Sequence, residues 1–542
     1  MTSASIHGKR ALAAIATTGV AALVLAGCAT TAPGDDDSNS GGAIIVGTTD
    51  KVTVLDPAGS YDNGSFAVMN QVFPFLLNSL PGSSDVVPDI AESADFTSPT
   101  EYEVVLKEGL TFANGNELTS SDVKFSFERQ TAISDDNGPW SLLGNLESVE
   151  AVDDLTIIFN LKNGNDQTFP QILSSPAAPI VDEEVFSPDS ITSDDDIVAG
   201  KAFAGQYEIT SYKFNEAVEF TAFKDYKGVL GAPESETVQL QYFTEASNLK
   251  LAVQEDEIDV AHRSLTPTDI ADLEKNKDVN VVVGPGGEIR YIVFNFDTQP
   301  YGATTAEADP AKALAVRQAV ADLIDREEIA TQVYKDTYLP LYSYVPDGLT
   351  GATEVLKELY GDGEGGPDAD KAATALSDAG VATPVALNLQ YNPDHYGESS
   401  GDEYALIKSQ LESSGLFTVN LQATEWVQYA KDRTADVYPA YQLGWFPDYS
   451  DADNYLTPFF ATENFLVNHY NNTAVDQLIK DQQVETDAAA RQGLIEDIQA
   501  AVAADLSTVP FLQGAQIAVT GKDITGATLD GSFKFRYGTL TR

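Results

Sequence analysis

The chain holds a single cysteine, Cys28, among 542 residues. A disulfide within the chain is therefore impossible, and cysteine-built zinc or iron–sulfur sites are excluded. Histidine is almost as scarce: His7, His262, His395 and His469 are scattered, with no pair at metal-binding helical spacing. The expectation is no catalytic metal and no cofactor. Positive charge is short too. Lys and Arg number 31 against 83 Asp and Glu, a net charge of −52. So acidic a surface repels phosphate backbones, which excludes nucleic acid as a partner. It also repels anionic lipid heads, so any hold on a membrane has to be covalent. The longest apolar run, Ala11 to Ala26, is too short and too rich in Ala and Thr for a membrane span. HExxH and a cysteine nucleophile are missing, so the chain is not read as an enzyme.

What is present begins at the N-terminus. Lys9 and Arg10 precede the apolar run, which closes on Leu25-Ala26-Gly27-Cys28. A charged stretch followed by an apolar one is the build of a secretory signal. The last four residues resemble a bacterial lipobox, the cleavage and acylation signal of lipoproteins. That resemblance implies removal of residues 1–27, a lipid on Cys28, and a protein held extracytoplasmically at the cell membrane. Residues 28–42 offer Pro, Gly, Ser and a triple Asp with almost nothing to bury, which predicts a flexible tether.

Beyond the tether, 43% hydrophobic residues, with 25 Phe and 23 Tyr, suffice for packed cores. The chain is too long for one core, and two to four substructures are expected. Strands are predicted over 43–48 and again up to Leu55-Asp56-Pro57, over 102–107, over 155–161 and over 218–222. The acidic 193–196 reads as a loop. Helical spacing covers 313–334, 404–414 before Gly415, and 484–505. An apolar strand-like run follows at 508–512. Strands and helices in long alternation indicate α/β architecture.

Three segments then carry a resemblance. Tyr102 to Arg129 reads as strand, Ala113-Asn114-Gly115 turn, and a helix capped by Thr119 or Ser120. Tyr291 to Arg326 holds a strand ending at Asn295, then Arg317-Gln318-Ala319 and Asp325-Arg326. Leu443 to Phe460 contains a Gly-Trp-x-x-Asp-Tyr loop. In this order the three resemble extracellular solute-binding proteins of family 5, the binding components of ABC importers for peptides, nickel and oligosaccharides.

The resemblance implies a periplasmic-binding-protein-like, type II, two-lobed clamshell with the family's extra inserted subdomain. One lobe is expected from 43–285 plus 508–542, with the inserted subdomain near 83–199, and the second from 286–507. Bending is expected near 284–291 and 507–510, where the chain crosses between lobes. The implied partners are a peptide ligand, the oligopeptide class above all, and the permease and ATPase subunits of an importer, with the protein itself a monomer.

Residue by residue, Asp448 matches the family's acceptor for the ligand ammonium, a role that suits a cation leaving water. Trp445 and Trp426 match pocket-lining tryptophans, and Arg433 matches a ligand-facing arginine. Gly444 would let a peptide main chain approach, and peptides in such sites add like a β-strand. By register, the first lobe's partner strand would be Tyr61-Asp62-Asn63.

The chain departs from the family in two places. Gln442 stands where relatives often carry an arginine for the ligand carboxylate, and 391–402 has no arginine, leaving His395 as the nearby cation. These departures favour a longer peptide or a ligand without a carboxylate. Phe446 and Pro447 replace smaller residues and reshape the first pocket. Asp448, Asp451 and Asp453 lack the Gly and distal Glu of a calcium loop. Another family 5 ligand, such as an oligosaccharide, an opine or a nickel chelate, remains an alternative, as does a peptide-signal receptor.

Overall fold

Two long strands, Val279–Phe294 and Thr508–Gly521, run antiparallel through the middle of an eleven-stranded sheet. The protein's structure, a computed structural model, describes residues 42–542 apart from Ser264, Asp394, Glu398, Glu463, Phe533 and the side chain of Val427. The expected signal, Cys28 and the tether up to Gly41 lie outside the described residues.

On one side the long pair is extended by Ala440–Trp445, Val385–Tyr391 and Phe417–Ala423. On the other it is extended by Val260–His262, Ile44–Thr48, Thr237–Tyr242, Ala217–Ala222 and Tyr207–Lys213. The eleventh strand, Tyr338–Pro340, also pairs with Thr508–Gly521.

The two halves of the sheet meet where the ladder breaks. Pairing is regular from Val279↔Gly521 to Pro285↔Ala515, then shifts and resumes at Ile289↔Gln513. A second shift falls between Arg290↔Leu512 and Tyr291↔Pro510. At the first break the strands almost touch. A Cβ on Gly286 would lie 1.8 Å from the Gly514 carbonyl oxygen, so the crossing requires glycine.

Separate cores follow from this division. Val316, Phe460, Ile498 and Phe511 belong to one, and Val46, Phe203, Phe220 and Tyr537 to another. A third is built by an inserted four-stranded antiparallel sheet, in the order Ala91–Ser98, Glu101–Leu106, Thr156–Leu161 and Leu146–Ala151, with the helix Ser120–Ile133. The architecture is the α/β two-lobed clamshell.

Local chemistry explains most element ends. Thr119 opens Ser120–Ile133 in a capping box with Asp122. Gly415, at φ +73°, lies just past Ser400–Ser413. Four expectations are corrected. The acidic 193–196 starts a helix, Asp194–Gly200: Ser193 caps it, and three aspartates in the first turn suit the positive end of the helix dipole. The predicted helix over 313–334 is two helices, Pro310–Leu323 and Arg326–Gln332, because Asp325 turns to cap the second. Helix 484–505 is likewise Ala488–Asp505, capped by Asp487, after a separate Thr473–Val484. No strand forms over 52–55. Val52 N–H donates to Asn215 Oδ1 and Leu55 N–H to Asp194 Oδ1, both at 2.8 Å, so side chains replace the ladder.

Two of the three family segments prove to be internal stitches. Arg129 makes a buried bidentate pair with Asp56 at 2.7 and 2.5 Å, tying the inserted helix to the loop after the first strand. Arg317 donates to the carbonyl of Asp505 at 3.0 Å, and Arg326 to those of Leu341 and Pro510, both at 2.9 Å. The third segment lies at the cleft.

Candidate functional site

A cavity of ≈ 260 Å³ lies in the cleft, lined from the first lobe by Tyr61, Asp62, Asn63, Phe66, Pro176 and Ser532. The second lobe contributes His395, Tyr396, Trp426, Phe465 and the run Leu443–Asp448.

That run is placed by a strand, a loop and a helix in sequence. Ala440–Trp445 is an inner strand, paired with the crossing strand from Phe294↔Ala440 to Ile289↔Trp445. Its end delivers Leu443, Gly444 and Trp445 to the cavity. The loop after it carries Phe446, Pro447 and Asp448. The helix Asp453–Phe460 then supplies the anchor, Asn454. The Asn454 carbonyl oxygen accepts from Asp448 N–H and from Trp445 Nε1–H, each at 2.9 Å. Its amide donates to Asp448 Oδ2, also at 2.9 Å. One buried asparagine therefore sets both the tryptophan and the carboxylate. Asn454 lies inside the third segment but is not among the residues expected from the sequence; a polar residue one turn after the loop is the available signal.

The other Asp448 oxygen, Oδ1, accepts from the Tyr61 hydroxyl of the opposite lobe. Burial pushes the Asp448 carboxyl up to about 6, and the Asn454 amide offsets part of the rise. No lysine or arginine lines the cavity among the described residues. A carboxylate so placed suits a cationic group brought by a ligand.

The far wall is aromatic. His395 lies flat on Trp426, with centroids 3.8 Å apart and planes 6° from parallel. Tyr396 meets Trp426 edge-on at 5.9 Å. Trp445 packs edge-on against Phe459 at 5.0 Å and lies 5.7 Å from Phe465.

The structure thus gathers Asp448, Trp445, Gly444, Phe446, Trp426, Tyr61, Asn63 and His395 around one cavity. Arg433 is not among them. It is buried, its guanidinium 4.7 Å from the Phe465 ring centroid, donating to the Phe465 carbonyl at 3.2 Å. It supports a wall from behind, because a helix, Trp426–Thr434, directs it inward.

Tyr61–Asn63 is not a strand. Asp62 accepts from Ser65 N–H at 2.8 Å and caps the helix Asn63–Val72. Gly444 answers to packing: a Cβ there would lie 2.8 Å from the Ile289 carbonyl and 3.0 Å from the Tyr396 ring. Gln442 is fully buried, accepting from Asn392 N–H at 2.9 Å and donating to Ser400 Oγ at 3.2 Å. Asp451 grips Arg491 at 2.7 and 2.8 Å, and Asp453 accepts from Thr457 and Gln482, so the loop's other acids are engaged inside the lobe. Phe66, Tyr396 and Phe465 were passed over, since no spacing in the sequence marks them.

Comparison with known proteins bears on what such a cleft does. The dipeptide-binding protein of Escherichia coli strain K12 is 23% identical over 425 residues, 74% of each chain. Heme-binding protein A of Haemophilus influenzae is 25% identical, covering 95% of this chain and 96% of its own. The fold matches that of the ABC transporter substrate-binding protein CtaP from Listeria monocytogenes, with a TM-score of 0.77 at 24% identity, over 93% of this chain and 99% of that one. The family model for bacterial extracellular solute-binding proteins, family 5, matches residues 85–466. The chain belongs to that family, and is an extracytoplasmic solute-binding protein of the ABC-importer class, a binder and not an enzyme.

Proposed function

We propose that the chain captures peptides between its lobes and hands them to an ABC importer, holding the ligand's amino terminus on Asp448. One observation carries the reading. A carboxylate with a raised pKa faces a cavity whose described lining includes no lysine or arginine, and Asn454 holds it in place. A ligand ammonium would supply the missing charge and replace the Tyr61 hydroxyl. The name of the Escherichia coli relative agrees with a peptide ligand. The remaining candidate contacts are Trp445, Trp426, Phe446, Tyr61, Asn63 and His395, with Gly444 shaping the wall.

On this reading the lobes close about the first register break, where Pro285–Ile289 lies opposite Gln513–Ala515. The return to the first lobe then begins near Gly514. The protein acts as a monomer, tethered through lipid on Cys28, and the tether raises its effective concentration at the permease.

Asp448→Asn should weaken binding of peptides with free amino termini by about 2–5 kcal/mol, the loss expected when one partner of a buried charged pair is removed. Calorimetry checks this; unchanged affinity would remove Asp448 from the site. Mass spectrometry of ligand carried through purification identifies the class, and sugars without peptides would overturn the reading. For the anchor, Cys28→Ser should move the protein from the membrane fraction to the soluble one in a fractionation of cells.

A further inference from the structure

We propose that the cleft selects ligands whose ammonium-bearing carbon carries a large apolar side chain and whose carboxylate lies outside the cavity. The inference rests on Asp448 as the ammonium acceptor and adds the chemistry that must surround that ammonium.

Among the described lining residues the carboxylates are Asp62 and Asp448, and His395 alone can become a cation. Asp62 is taken up by Ser65 and Thr53, and His395 is stacked on Trp426. Nearby arginines are behind the walls. Arg433 lies under Phe465, and Arg290 donates to the Tyr396 carbonyl at 2.6 Å while paired with Glu288 and Glu403 at 3.0 and 3.2 Å. A ligand carboxylate drawn into the cavity would lose its water and meet carboxylates and ring faces, which is unfavourable.

Phe465 is 46% exposed and Tyr61 is 42% exposed, yet both line the cavity from opposite lobes. Apolar side chains left open in a cleft are stabilised when a ligand covers them. Phe446 and Trp445 belong to the same run as Asp448, so a side chain next to a bound ammonium falls among rings.

A free dipeptide spans only about 7 Å from amino to carboxyl end. Held at Asp448, it keeps its carboxylate inside. A chain of three residues or more, or a shorter one with a carboxamide, does not.

Calorimetry on the full protein with Phe-Ala-Ala, Gly-Ala-Ala, Phe-Ala and Phe-Ala-amide tests the proposal. Phe-Ala-Ala should bind at least about tenfold more tightly than Gly-Ala-Ala, the discrimination an apolar pocket typically provides. Phe-Ala-amide should bind more tightly than Phe-Ala by a similar factor. Phe465→Ala, and separately Phe446→Ala, should shrink the ratio between Phe-led and Gly-led peptides; circular dichroism establishes that each variant is folded. Equal binding of Phe-led and Gly-led peptides, or tighter binding of Phe-Ala than of its amide, would overturn this inference while leaving Asp448 in place. No binding of any of the four would overturn the peptide reading and this inference together.

Discussion

At the scale of single residues, Asp448 shows how environment outweighs identity. It is one of 83 acidic residues. Burial raises its pKa from 3.8 to about 6, against the opposing hydrogen bond from Asn454. The direction fixes two pH effects of opposite sense. Below about pH 4 both the folded and unfolded chains carry the proton, and the stability that goes with the protonated residue is fully present. As pH rises toward about 6 the unfolded chain ionises first, so the ligand-free protein loses the stability that the protonated form allowed. Affinity moves the other way, because an ammonium needs the ionised carboxylate. Binding should fall about tenfold per pH unit below about pH 6, and the profile should flatten in Asp448→Asn. Calorimetric titrations across that range check both. Arg433 is the converse case. Its spacing to Trp445 is that of a ligand-facing arginine, yet its charge is spent on the carbonyls of Phe465 and Leu466.

At the scale of elements, legibility depended on whether a local signal stood out from the pattern around it and on the range of the deciding interaction. The strands Glu101–Leu106 and Thr156–Leu161 and the Thr119 cap rest on neighbours in sequence, and each was readable. The break at Asp325 was not, because apolar spacing continues across it while the side chain turns back to Glu328 N–H. Val52 and Leu55 differ for another reason: Asn215 and Asp194, far along the chain, take their amides. The strand Ala440–Trp445 gives a test at this scale. Gly444→Ala would drive a methyl against the Ile289 carbonyl, which belongs to the paired strand and yields little. The expected cost is about 1–3 kcal/mol, read from the urea midpoint.

Across the whole molecule, the loop after Trp445 serves both the cavity and the contact between lobes. Asp448 faces the cavity, and the next residue, Tyr449, packs against the core of the inserted subdomain. A second tie runs from Gln167 N–H, in that subdomain, to the Gln483 carbonyl at 2.9 Å. Cavity wall and lobe contact are thus joined by one residue step. Tyr449→Ala, which removes no cavity wall, should weaken ligand binding about tenfold through loss of closure alone. Small-angle scattering should then show a smaller ligand-induced contraction than in the unaltered protein. A full contraction with weakened binding would place Tyr449 in the site instead.

The amino-acid sequence alone determined the family, the absence of disulfides and cysteine-built metal sites, the acidic composition and those elements, such as the Thr119-capped helix, whose local signals stand out. These depend on composition and on contacts along the chain. The tertiary structure decided which matching residues face the cleft. Asp448 meets Tyr61 from 387 positions away, Arg433 is turned behind a wall, and Gly444 is needed by the strand beside it. The physical reason is that burial, and with it the pKa and the hydrogen-bond partners of a side chain, is set by what packs against it, and at this cleft those groups come from distant parts of the chain.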